Sequence, residues 1–198
     1  SIQAWIDPSA VPTNSDNDYF IHKNKTYRIG LEYTASGVEV VGALRWNGTY
    51  YNVESGEQGY YVTTGGGWYH VVLTFNGTNL VLYVNGDEKD TNSNSSYSTT
   101  NQNGVFSIGR RDDTQSLYYN GKIDEVSFWN TGLSANAVAA LYNSGAGISA
   151  SSNSGNYTSS GSLVFYLQME QNLNDSENSY NFTGGNIGSD DYEVTSFE

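Results

Sequence analysis

Between Gly67 and Gly86 the chain reads GWYHVVLTFNGTNLVLYVNG, and Tyr69, Val71, Leu73 and Phe75 alternate with Trp68, His70, Val72 and Thr74. A period of two is that of a β-strand, because successive side chains leave a pleated backbone on opposite faces. Asn76 and Gly77 tolerate the left-handed backbone of a tight turn, and Leu80 to Val84 read as the returning strand. This hairpin is the centre of the predicted fold.

The same alternation marks other strands in order. Ser1 to Asp7 places Ile2, Ala4 and Ile6 opposite Gln3, Trp5 and Asp7, and Pro8 ends the run. After a polar loop, Tyr19 to Ile21, Thr26 to Tyr33 and Glu39 to Trp46 read as strands, with Tyr50 to Val53 and Tyr60 to Thr63 as shorter ones. The polar run DEKDTNSNSSYSTTNQNG after Gly86 reads as an exposed loop, and Val105 to Gly109 and Lys122 to Trp129 return to strand character. Leu133 to Gly145 reads as the one helix, with Ser134 as N-cap, Val138, Leu141 and Tyr142 on one face and Gly145 as terminator. The run AGISASSNSGNYTSSG, residues 146–161, has linker composition, and Leu163 to Met169 is one more strand.

Composition narrows the function. The 198 residues carry 21 acidic and 8 basic side chains, a net charge of −13, which opposes binding to nucleic-acid phosphates or to an anionic membrane. No apolar run is long enough to cross a bilayer. With no cysteine there is no disulfide framework, and with only His22 and His70 neither a zinc site nor a thiol nucleophile is expected. The seven Asn-x-Ser/Thr triplets follow from abundant Asn, Ser and Thr rather than marking glycosylation. Starting at Ser1 inside a strand, the chain reads as a segment of something longer.

Candidate chemistry is sparse. Asp87–Glu88, Asp124–Glu125 and Asp190–Asp191 are adjacent pairs, so on a strand the two carboxylates point apart and cannot flank one glycosidic bond. Gly65 to Gly67 lacks the Lys and helix of a phosphate loop. No enzyme is expected. The remaining cluster is Arg110, Arg111 and Asp112 beside Tyr118 and Tyr119. Its charges can pair with one another at the surface, or its aromatic faces and polar groups can hold a sugar or an anion.

The strings WYHVVLTFNGTNLVLYVNG, VFSIGRR and YYNGKIDEVSFWNTGLSANAVAALYNSG, with SIQAWIDP before them, occur in the order found in laminin G-like, concanavalin A-like domains. The chain resembles that family over more than half its length. The resemblance implies an all-β, two-sheet antiparallel jelly-roll sandwich with one short helix near 134–144. It also implies an adhesive or structural module of a larger extracellular, cell-surface or virion protein. Glycans or surface proteins are its expected partners.

The family's opening strand and Asp-rich turn are missing from the front, whereas LVFYLQMEQNLNDSENSYNFTGG, from Leu163, resembles them. The resulting division is 1–145 as sandwich, 146–161 as linker and 162–198 as strands that complete the sandwich within the chain or in a neighbouring copy. Completion between copies gives the alternative of a self-assembling structural module without a small ligand. The resemblance further implies a structural Ca²⁺ held by Asp124, Asp175 and Asn178. The usual Gly after the turn Ser is replaced in DSENSYN.

Overall fold

The computed structural model describes residues 1–14, 17–94, 97, 104–111 and 118–169. Among these described residues eleven strands form two antiparallel sheets. One sheet joins β1 (Ile2–Pro8), β6 (Tyr69–Phe75), β7 (Asn79–Val84), β8 (Asp87–Ser93), β10 (Gly121–Trp129) and β11 (Leu163–Leu167) in the order β11-β10-β1-β6-β7-β8. The other joins β2 (Asp18–Lys23), β3 (Tyr27–Thr34), β4 (Gly37–Trp46), β5 (Thr49–Glu54) and β9 (Phe106–Ile108) in the order β5-β4-β3-β2-β9. The one α-helix among the described residues, α1 (Ala135–Tyr142), follows β10.

The alternation in β6 sorts its residues into two cores. Tyr69, Val71 and Leu73 meet Ile29, Leu31, Val40, Leu44 and Val53 of the opposite sheet. Val72 turns the other way, with Val81, Tyr83 and Trp129, and packs on Leu133, Ala137, Val138 and Leu141 of the helical segment. The six-stranded sheet is thus covered on both faces, which explains why His70 and Thr74 are buried although polar.

The hairpin forms as its residues dictate. Asn76 Oδ1 accepts from the backbone N–H of Thr78 and Asn79 at 3.0 and 2.8 Å, and Gly77 takes φ +96°. Ser134 caps α1, its Oγ accepting from Ala137 N at 3.2 Å. The helix ends earlier than its pattern predicts. Asn143, left-handed at φ 47°, stops it before Gly145 is reached.

Three further expectations are corrected. Tyr60 to Thr63 is no strand; it follows a 3-10 turn at Ser55–Gln58, and Tyr60 instead accepts a bond from Asn85 Nδ2 through its hydroxyl at 3.0 Å. The first residues of the expected loop after Gly86 form the edge strand β8, paired along β7. Its polar side chains reach the opposite sheet, with Asp90 Oδ2 accepting from Glu54 N at 3.0 Å and Asn92 Nδ2 donating to the Asn52 carbonyl at 3.1 Å. A charged edge also resists pairing with another sheet.

Segment 146–161 does not run as a free linker. Ala150 and Tyr157 lie in the second core, where Tyr157 accepts from Trp129 Nε1 at 2.8 Å and donates to the Ala150 carbonyl at 2.6 Å. That anchoring leads the chain into β11, which pairs antiparallel with β10 of its own chain. Phe165 stacks on Phe128 with ring centroids 5.9 Å apart.

Candidate ligand-binding face

In the five-stranded sheet Ile21, Ile29, Leu31, Val40, Leu44 and Val53 face the core. The alternate positions therefore face away from it. Cross-strand pairing sets them side by side: Tyr19 beside Gly30 and His22 beside Arg28, then Arg28 beside Ala43, Ala43 beside Asn52, and Arg45 beside Tyr50. Small residues open the middle of this face. A methyl group at Gly30 would lie 2.9 Å from Cδ1 of Tyr19, so the missing side chain is the space that the Tyr19 ring fills.

The large side chains interleave. The Arg28 guanidinium lies 4.2 Å from the Tyr50 ring centroid and 5.3 Å from that of Tyr19. Arg45 lies 5.7 Å from Tyr50 and Arg111 5.8 Å from Tyr19. The row reads Arg45, Tyr50, Arg28, Tyr19, Arg111, cations alternating with aromatic faces that attract them. Burial pushes the Tyr19 hydroxyl pKa up, and the neighbouring Arg28 opposes that rise. The Tyr19 oxygen accepts from Asn17 Nδ2 at 3.2 Å.

The polar groups of this region are incompletely used. Arg28 Nε, Asn52 Oδ1 and Arg110 Nε are buried without a hydrogen-bond partner. Buried polar atoms in folded proteins are nearly always paired, so Arg28 Nε and Asn52 Oδ1, at outward positions of β3 and β5, mark this face out.

The structure divides the cluster expected from sequence. Arg111 joins the row on Tyr19. Arg110 bridges Tyr118 through the backbone, and its carbonyl accepts from Ser107 Oγ at 3.1 Å. Tyr118 is half exposed. Tyr119 turns inward, edge-on to Phe20 at 5.7 Å in the main core, because successive residues of extended chain point oppositely. That removes it from the exposed cluster. Asp112 lies outside the described residues. Tyr19, Arg28, Arg45 and Tyr50 were not legible as a site. The available signal was an arginine inside each of the strand patterns YRIGLEY and GALRW, where a strand buried on both faces has no charge.

Of the residues expected to hold calcium, Asp124 lies on β10 and its Oδ1 accepts from Glu125 N at 2.9 Å. Glu125 sits at a bulge opposite β1 with φ 53°, and its carboxylate accepts from the Tyr166 hydroxyl. Among the described residues no three potential metal-ligating side chains gather. Asp175 and Asn178 lie outside them, so the described donors alone do not fit the six to eight oxygens that Ca²⁺ takes.

His70 is structural in its contacts. It is fully buried, shares a 3.0 Å hydrogen bond between Nε2 and Gln3 Oε1, and stacks near Trp5 and Tyr142. Burial lowers its pKa to about 3.

Residues 1–139 match the family described as the concanavalin A-like lectin/glucanases superfamily. The chain belongs to this superfamily. The superfamily match ends inside α1, so β11 lies beyond it. Among solved structures, a carbohydrate-binding protein, so described with reservation, from Bacteroides ovatus aligns with TM-score 0.61 and 18% identity over 84% of this chain and 44% of that one. The native heptameric SAP-like pentraxin from Limulus polyphemus aligns with TM-score 0.55 and 16% identity over 71% and 68%. A full-length tailspike protein of an Escherichia coli bacteriophage aligns with TM-score 0.59 and 11% identity over 87% and 24%. At such identities the likeness is one of fold, and the chain spans less than half of the first and third of these. No curated protein matches the chain in sequence.

Proposed function

We propose that the chain is a non-catalytic glycan-binding module of a larger extracellular, cell-surface or virion protein, and that it binds through the outer face of its five-stranded sheet. The observation that carries this reading is the row of Tyr19 and Tyr50 interleaved with Arg28, Arg45 and Arg111, beside buried polar atoms that lack partners. The half-buried Tyr50 ring can stack on sugar C–H groups, the buried Tyr19 ring supports Arg28 from below, and arginine and asparagine bond hydroxyl oxygens. The sugar-binding description of the Bacteroides ovatus neighbour supports the same class of ligand. A glycan array probed with the intact chain and with Tyr50→Ala tests it. Retained glycans that the variant loses support the face. Equal binding by both proteins, or recognition of a protein ligand with no glycan bound, contradicts it.

The self-assembling alternative draws on strand donation from residues 162–198. Its first strand, β11, already pairs with β10 of the same chain, which favours a self-contained sandwich. Calcium at Asp124, completed by Asp175 and Asn178, is part of the proposal. Chelation then lowers the melting temperature of the wild-type chain and not of Asp124→Asn; an unchanged wild-type temperature removes calcium from it.

A further inference from the structure

We infer that the ligand of this face is an anionic glycan, one whose sugar carries a carboxylate or a sulfate that Arg28 and Arg45 grip. The inference rests on the proposal that this face is the binding site, and it adds the chemical class.

Charge is the starting point. Acidic side chains outnumber basic ones 21 to 8, so an arginine on this chain has carboxylates in excess to choose from. The chain has four arginines, at 28, 45, 110 and 111, and three of them stand in the tyrosine row. Arg28, Arg45 and Arg110 nevertheless pair with no carboxylate among the described residues. Such segregation leaves positive charge concentrated on one face of a strongly acidic protein.

Three glutamates of the same sheet are engaged elsewhere. Glu32 Oε2 accepts from Asn17 Nδ2 at 3.3 Å, Glu39 Oε2 from Gly56 N at 2.7 Å, and Glu54 Oε1 from Asn52 Nδ2 at 3.2 Å. Each is tied to an amide rather than to a guanidinium. Glu32 and Glu39 face each other across β3 and β4, towards the end of the sheet where β4 begins, whereas Arg28 and Arg45 lie towards the end where it finishes. The face is therefore divided into an acidic part and a basic part.

The tyrosines prepare the basic part for an anion. A guanidinium laid over an aromatic ring uses its flat face, and its N–H groups remain in the plane for bonds to an acceptor. Among the described residues the buried Arg28 Nε has no acceptor, and Arg45 Nε donates to the Gly48 carbonyl at 3.2 Å. A carboxylate or sulfate supplies two oxygens at the spacing of the guanidinium fork. A neutral sugar hydroxyl supplies one, and no charge. The half-buried Tyr50 ring then contacts the sugar, while the buried Tyr19 ring backs Arg28, so that charge and ring together select a charged saccharide over a free anion.

The test is calorimetric titration of the complete chain with oligogalacturonate, a sulfated galactan oligosaccharide and the uncharged galactan oligosaccharide, at low and at raised salt. We expect binding to at least one charged glycan, weakening as salt rises, and at least a tenfold loss of affinity in Arg28→Gln, with Arg28→Lys between the two. The preference between the first two probes tells carboxylate from sulfate. Arg45→Gln, at a half-buried strand end, carries the test if Arg28→Gln does not fold. Uncharged galactan bound as tightly as the charged glycans, and lost in Tyr50→Ala, overturns the anionic class while leaving the face as the site. Charged glycans bound equally by wild type, Arg28→Gln, Arg45→Gln and Tyr50→Ala overturn the face itself. Binding of none of the three probes overturns the inference.

Discussion

The Arg28 guanidinium reaches across β4 to lie 4.2 Å from the Tyr50 ring centroid, over a position where the sheet carries only the methyl group of Ala43. A cation held on an aromatic face contributes about 0.5–2 kcal/mol, the larger figure where water is excluded. Tyr50 is half-buried, so Tyr50→Leu is expected to lower stability by roughly 1 kcal/mol while preserving most of the apolar burial. Urea unfolding of the two proteins measures it. An Ala43→Leu chain should lose the contact as well, because the larger side chain occupies the gap; unaltered stability in both variants would mean that the pair contributes nothing.

His70 makes the fold sensitive to acid. Its pKa is lowered to about 3 by burial, with Nε2 held by Gln3 and Nδ1 lacking a partner. In the unfolded chain an imidazole titrates near 6.5. A depressed folded pKa gives stability that is complete above that value and is lost as pH falls towards 3, by about 1.4 kcal/mol per pH unit within the window. Stability of wild type and His70→Gln, measured by urea unfolding between pH 7 and 4, should converge as pH falls. Parallel curves would show that the imidazole stays neutral in neither state or in both.

Glu39 has the opposite sign. Burial raises its pKa, the Gly56 N–H lowers it, and Glu54, Glu32 and Glu57 add to the rise. A raised folded pKa means that stability is greatest below the unfolded value and declines as the carboxyl ionises. Glu39→Gln keeps an oxygen for Gly56 N and removes the charge. It should melt higher than wild type at pH 7 and no higher at pH 3.5. A lower melting temperature at pH 7 would mean that the charged hydrogen bond outweighs burial and repulsion.

Phe165 ties β11 to the sandwich, stacked on Phe128 and edge-on to Phe106 at 5.6 Å. Replacing a buried Phe by Ala typically costs 3–5 kcal/mol, a large part of a domain's whole stability. Phe165→Ala should therefore unfold well below wild type, and deletion of residues 162–198 should leave a chain that aggregates on light scattering. A soluble, cooperatively melting truncated monomer would mean that β11 is dispensable.

Sequence pattern carried the fold a long way and the site only a short way. The alternation in β6 and β7, the Asn76–Gly77 turn and the Ser134 cap are local signals, and each is realised locally. β8 escaped notice because its stability comes from pairing with β7 and from Asp90 and Asn92 reaching the opposite sheet, none of which its polar string announces. The Tyr119 position failed for a related reason: two adjacent tyrosines cannot share one face of extended chain. Arg28, Arg45, Tyr19 and Tyr50 come from four different strands, and only the register of β2 to β5 brings them together.

The most direct measurement is NMR mapping of the intact chain titrated with the charged oligosaccharide that binds best. The expected result is that side-chain signals of Tyr19, Arg28, Arg45 and Tyr50 shift in a saturable way, while those of Tyr33 and Trp68, exposed away from this row, stay in place. Shifts at Tyr33 and Trp68 with an undisturbed Arg28 and Tyr50 would contradict the assignment of the arginine and tyrosine face as the binding site.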